Sequence, residues 1–128
     1  MGYVGAGVVV DKKRGLVVVD KNTVPLALGD VRITFNGCQE VPGDVLFVHP
    51  VHNFSVVRFN PSLVRPTRFS EAELCGPDED LRAGDRAEFN GLTMGFIPVC
   101  QRLVVTKVER VSFLDPNPPQ YMAHNVEV

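Results

Sequence analysis

Apolar residues fall in short runs along this chain, rich in valine and divided by Gly, Pro, Asn and Asp. Helix signals are almost absent, so the pattern predicts an all-β protein. Val4 to Val10 and Leu16 to Val19 are two such runs, joined by DKKRG, whose charges and glycine suit a hairpin turn. Val31 to Phe35 alternates apolar and polar side chains, which predicts one buried and one wet face. Val41 to Val48 reads as a longer strand, with Pro42 near its start and Gly43 as a bulge. Phe54 to Phe59 follows the short turn HPVHN.

These five strands predict a compact antiparallel barrel over the first 60 or so residues. Composition then shifts: NPSLVRPTRFSEAELCGPDED, residues 60–80, is rich in Pro, Ser and acidic side chains, as a connecting segment would be. Within it SEAEL predicts one helical turn, capped by Ser70 with Glu73 three residues on. Strand patterning resumes at Asp85 to Phe89 and Arg102 to Val111, and after the rigid LDPNPP turn at Tyr121 to Val128. The expected organisation is a first barrel over 1–62, a linker over 63–82 and a partial second barrel over 83–128. Three late strands are too few to close a barrel, and an open edge of unpaired peptide groups favours self-association. On this reading the chain is a fragment of something longer; the competing reading has the late strands pair back on the first sheet.

The bulk numbers narrow the chemistry. At 128 residues, with 45% hydrophobic and 22% charged content, the chain fits a globular protein of about one domain. A net charge of −2 argues against a nucleic-acid partner and against phosphate binding, as do 8% aromatic content and the absence of Trp. No run approaches the length of a membrane span, the N-terminus lacks a signal-peptide pattern, and Ala6 breaks a myristoylation motif, so no membrane partner is expected. Cys38, Cys75 and Cys100 are odd in number and widely spaced, which predicts reduced structural thiols and an intracellular compartment. Cys38 and Cys100 read as buried small hydrophobes.

The order of the motifs resembles that of the trypsin-fold serine proteases of the HtrA/Deg type. GAGVVVD, Gly5 to Asp11, is similar to the GxGV-like strand that opens their first barrel. GLVVVDKNTVP, residues 15–25, resembles the strand ending in T-N-x-H-V, and the catalytic histidine position falls on Thr23. HPVHNFSVVRF, residues 49–59, resembles D-x-x-x-D-L-A-V, and the aspartate position falls on Asn53. LRAGDRAEF at 81–89 looks like the strand that opens the second barrel, and QRLVVTKVERV like the one after it, with the intervening loop only loosely echoed by Gly91, Gly95 and Pro98. VPGDVLFVHPVHNFSVVRFNP and VVVDKNTVP resemble most closely the degenerate second protease module of large double-module members, whose polypeptides also carry an active module and PDZ domains. The resemblance implies a trypsin-like antiparallel β-barrel, first barrel complete and second partial, in a parent concerned with protein quality control.

It also implies lost chemistry. A Ser/His/Asp triad needs a base that titrates near neutrality, and threonine offers none. Asn53 accepts a hydrogen bond but carries no charge to stabilise an imidazolium. No serine among Ser55, Ser62, Ser70 and Ser112 lies in a G-x-S-G turn, which the resemblance would place beyond Val128. Thr23 and Asn53 are thus vestigial positions and no catalytic residue is expected. Other sites are not indicated. His49 and His52 lack a third zinc ligand, a His52/Ser55 dyad has the wrong alternation with Ser55 placed inside, and GPDED at 76–80 lacks calcium-loop spacing. No metal or cofactor is expected. The function that follows is an inactive module with a structural, assembly or regulatory role, its partners being other modules of the polypeptide or a second copy. The alternative is a small barrel that captures extended peptides along a sheet edge.

Overall fold

The computed structural model describes residues 4–25, 29–93, 95, 97–112 and 122–127. They are all-β apart from two 3-10 turns, Pro61–Leu63 and Pro66–Arg68. The packing divides into two compact units, Met1–His49 with Asn53–Leu74, and Pro50–His52 with Cys75–Val128.

The first unit is one antiparallel sheet of five strands: β1 (Val8–Asp11), β2 (Leu16–Val19), β3 (Val31–Phe35), β4 (Gln39–Val48) and β5 (Ser55–Phe59), in spatial order β1-β2-β5-β4-β3. The sheet curls as part of a trypsin-like barrel wall, with β1 and β3 at its edges. Each strand forms on the apolar run that predicts it, although β1 starts at Val8 and not at the expected Val4. DKKRG makes the β1–β2 turn, closed by the Arg14 N–H on the Asp11 carboxylate at 2.9 Å. Asn36 and Gly37 both take positive φ, 51° and 70°, and the Cys38 N–H donates to the Phe35 carbonyl at 3.1 Å, a type I′ hairpin signature between β3 and β4. The bulge expected at Gly43 lies instead between Val45 and Phe47, where Leu46 is turned out. Gly43 serves close packing, since a Cβ there would meet Val57 at 2.9 Å and Ile33 at 3.1 Å.

Alternation along the strands gathers Val17, Phe35, Val41, Phe59 and Val64 into a buried core flanked by Val9, Val19, Ile33 and Phe69. Phe35, Phe59 and Phe69 form a mutual ring cluster with centroids 5.0 to 5.5 Å apart. Val64 and Phe69 belong to the proline-rich segment after β5, which packs into this core. Lys12 fastens it: its Nζ donates to the carbonyls of Pro66 (2.6 Å) and Phe69 (3.0 Å) and sits 4.9 Å from the centre of the Phe69 ring. The helical turn expected at SEAEL does not form. The Ala72 N–H instead donates to the Val9 carbonyl at 2.8 Å, and the Glu71 carboxylate accepts the Lys12 N–H at 2.6 Å. Long-range bonds to β1 outcompete a single uncooperative turn.

The second unit holds two separate antiparallel ladders, β6 (Arg86–Leu92) with β7 (Pro98–Val104), and β8 (Lys107–Ser112) with β9 (Met122–Glu127). The run expected as one strand from Arg102 to Val111 is broken, so four late strands are described instead of three. Val105 turns inward, 1% exposed; its N–H donates to the Asp85 carbonyl (2.8 Å) and its carbonyl accepts the Gly84 N–H (2.7 Å), which ends β7. The LDPNPP turn lies outside the described residues.

All three cysteines are free and exposed, which corrects the expected burial of Cys38 and Cys100. Cys38 completes a solvent-facing turn. Cys100 lies opposite Asn90 on the polar face of β6–β7, shared with Glu88 and Arg102. A hydrogen bond to Glu88, a little desolvation and the charge of that carboxylate all raise the Cys100 thiol above its ordinary value, the reverse of an activated nucleophile.

Candidate functional site

The register of β2 on β5 brings the segments that carry Thr23 and Asn53 to one end of the sheet. Val19, the last residue of β2, lies opposite Ser55, the first of β5, so the chain leaving β2 and the chain entering β5 meet at one end of the sheet. Thr23 sits in the first segment and Asn53 in the second. The Asn53 side-chain carbonyl accepts the Lys21 N–H at 3.1 Å, and Lys21 Nζ donates to the His49 carbonyl at 2.8 Å. One step further in, the Ser55 hydroxyl donates to the Val24 carbonyl at 2.8 Å. Thr23 is therefore bracketed by two cross-links to the segment that carries Asn53.

Thr23 itself is held by its own turn. The Asp20 backbone carbonyl accepts the N–H groups of Thr23 and Val24, both at 3.2 Å, while the Asp20 carboxylate accepts the Thr23 N–H at 3.2 Å and the Thr23 hydroxyl. On its other side is Gly5, where an added Cβ would collide with the Thr23 hydroxyl. Absence of a side chain at Gly5 is what lets the segment preceding β1 pass so close.

No imidazole stands at position 23, and the three side chains are engaged within the fold: Thr23 with the Asp20 carboxylate, Asn53 with the Lys21 N–H, Ser55 with the Val24 carbonyl. Ser55 is fully buried, 0% exposed, as its alternation predicts, so no substrate carbonyl can reach its oxygen. The His49 ring packs against Phe54 with centroids 4.8 Å apart and meets Phe47 edge-on at 5.6 Å, with the His49 N–H donating to the Phe54 carbonyl at 3.0 Å. Among the described residues no three His, Cys, Asp or Glu side chains gather as a metal site, and no buried side-chain polar atom lacks a partner. No helix among them is long and apolar enough to cross a membrane.

Motif spacing finds Thr23 and Asn53; it does not find Asp20 and Lys21, the residues that tie them down. Asp20 is legible in retrospect, since Asp three residues before Thr is the spacing of a side-chain-closed turn. Nothing local signals Lys21, whose partners are 28 and 32 residues away.

No protein-family model matches the chain. It is similar to Protease Do-like 7 of Arabidopsis thaliana, 35% identical over an alignment of 133 positions that covers 98% of this chain and 12% of that protein. Pro-apoptotic serine protease NMA111 of Eremothecium gossypii is 34% identical over 122, covering 95% of this chain, and its Saccharomyces cerevisiae counterpart is 32% identical over 125, also covering 95%. The chain spans 12% of the length of each of these relatives.

Proposed function

Since the chain is a relative of the HtrA/Deg-type serine proteases, matching one segment of them, we propose that it is a catalytically inactive trypsin-like module with a structural, assembly or regulatory role. The observation that carries this reading is the engagement of Thr23 and Asn53 at the β2–β5 end of the sheet, where Lys21–Asn53 and Ser55–Val24 bonds link their segments. The segments that carry Thr23 and Asn53 run side by side there, and both side chains are spent on turn and backbone hydrogen bonds. A triad without an imidazole has nothing to take the nucleophile's proton, and an uncharged orienter has nothing to stabilise. The module belongs, on this proposal, to the degenerate protease unit of a larger quality-control endopeptidase with an active module and PDZ domains elsewhere in the polypeptide. Free thiols support a reducing, intracellular setting, nuclear or organellar locations included.

Incubating the 128-residue chain with an unfolded protein substrate and a fluorophosphonate probe tests it. Neither turnover nor labelling is expected. Turnover abolished by Ser55→Ala or His52→Ala would overturn the proposal.

A second reading, capture of extended peptides, is favoured by the β6–β7 ladder. Alternation puts Ala87, Phe89, Val99 and Leu103 on one face, with Phe89 53% and Val99 38% exposed. Titration with labelled extended peptides would shift β7 amides if this ribbon accepts a further strand.

A further inference from the structure

Asparagine is followed by glycine twice in the chain, at Asn36–Gly37 and at Asn90–Gly91. The fold gives the two dipeptides different surroundings. The first makes the β3–β4 turn, where both residues are exposed and at positive φ. Among the described residues nothing accepts the Gly37 N–H, and a Cβ added at Gly37 would meet no atom within 4 Å, so solvent base has open access to that nitrogen. The second dipeptide lies inside β6. Alternation from the Thr93 N–H on the Ile97 carbonyl directs the Gly91 N–H across the ladder to Val99, and a Cβ at Gly91 would meet the Phe89 ring at 2.7 Å. The neighbouring charges differ as well. The Asn36 carboxamide donates to the Arg68 carbonyl at 3.0 Å, and the Arg68 guanidinium reaches the same turn, 3.8 Å from Cys38 Sγ. The Asn90 carboxamide donates instead to the Glu88 carboxylate at 3.2 Å.

We propose that Asn36 is a self-modification site, which deamidates in the folded chain and thereby unlatches the connecting segment at Arg68. The Gly37 nitrogen, its proton lost to solvent base, attacks Asn36 Cγ. The new N–Cγ bond completes a five-membered imide, and the Cγ–Nδ2 bond breaks as Nδ2 takes up a proton and leaves as ammonia. Water then opens the imide at either carbonyl, leaving aspartate or isoaspartate, with nothing oxidised or reduced. The Arg68 guanidinium favours the negative charge that develops on the nitrogen and then on the tetrahedral oxygen, while Glu88 opposes the same charge at Asn90. Ring closure also requires the peptide to swing toward its own side chain. At Asn36 this breaks the Cys38–Phe35 turn bond and the bond to Arg68; at Asn90 it has to open the ladder. The product carboxylate has no hydrogen to give the Arg68 carbonyl, so the turn loses its hold on the segment there. Isoaspartate in addition lengthens the turn backbone by one carbon.

Peptide mapping of the 128-residue chain, held at mildly alkaline pH with and without urea, tests the modification. In urea the two dipeptides should convert at similar rates, since only sequence acts there. In the folded chain Asn36 is expected to convert about tenfold faster than Asn90. Asn36→Gln, whose longer side chain would have to close a larger ring, should stop conversion at this position and leave Asn90 as it was. Asn36→Asp, the direct product, tests the consequence: exchange of the Arg68 amide, which bonds to the Arg65 carbonyl within the segment, should speed up. Equal rates at the two sites in the folded chain would overturn the proposal, and so would conversion of Asn90 first or an Asn36 that converts only in urea. Unaltered Arg68 exchange in Asn36→Asp would overturn the unlatching.

Discussion

Thr23 is bound so completely by its surroundings that, on the proposed function, an imidazole in its place should not bring chemistry. Its hydroxyl and N–H both end on Asp20, and Gly5 leaves no spare volume on its other side. An imidazole at this position forfeits the turn bond and must displace the segment before β1. The double variant Thr23→His with Asn53→Asp is therefore expected to be inactive toward an unfolded substrate and less stable by about 1–3 kcal/mol in urea denaturation. Activity in that variant would mean that a nucleophile lies within reach of the site. At this scale the sequence was informative where strand alternation decides, as with Ser55, expected inside and 0% exposed. It misled where residue type alone stood for burial. Cysteine is among the most buried residue types, but Cys38 ends a hairpin turn and Cys100 lies on the polar face of a two-stranded ribbon. Neither circumstance shows in the residue's own type.

At the level of elements, the strands of the first unit were legible because each is an apolar run bounded by turn residues, and β3 keeps its predicted ends, Val31 to Phe35. Asn36-Gly37 is an additional hairpin signal that strand patterning alone does not use. What escaped is set by distant partners. Arg102 to Val111 has continuous strand propensity, but Val105 pairs with the Gly84–Asp85 turn about 20 residues earlier and breaks it. SEAEL has a helix-capping pattern, but its Ala72 N–H is claimed by Val9 of β1 and its Glu71 carboxylate by the Lys12 N–H in the turn that follows, each about 60 residues away. Lys12 is the hinge of that competition. Lys12→Met keeps the apolar stem while removing the ammonium from two carbonyls and from the Phe69 ring. It should cost about 1–3 kcal/mol in denaturant unfolding and speed exchange of the Ala72 amide, leaving the β2–β5 ladder protected. Unchanged Ala72 exchange would show that Val64 and Phe69 hold the segment by packing alone.

Considered as a whole, the molecule divides where its apolar burial divides. The core cluster of Val17, Phe35, Val41, Phe59 and Val64 falls wholly within the first unit, together with the aromatic trio that includes Phe69. From Cys75 to Arg86 every residue is exposed, and the backbone bonds up to Ala83 are short-range, Glu79 to Gly76 and Asp85 to Arg82, the long-range ones to Val105 and Val104 beginning only at Gly84. A protease needs an extended, weakly bonded segment, so limited digestion should cut first between residues 75 and 82. Leu74 and Leu81, 70% and 43% exposed, mark this stretch for an enzyme of chymotryptic preference, and Arg82 for a tryptic one. The larger product should keep the β1–β5 sheet, with its strand amides still slow to exchange, because no member of its core is lost by the cut. The smaller product carries ladders of only two strands each, and two-stranded ribbons are marginal on their own. It should be digested further at once. Survival of both fragments in equal yield would show that the second unit has a core of its own beyond Val105, and simultaneous loss of both would show that the first unit depends on the second for its stability.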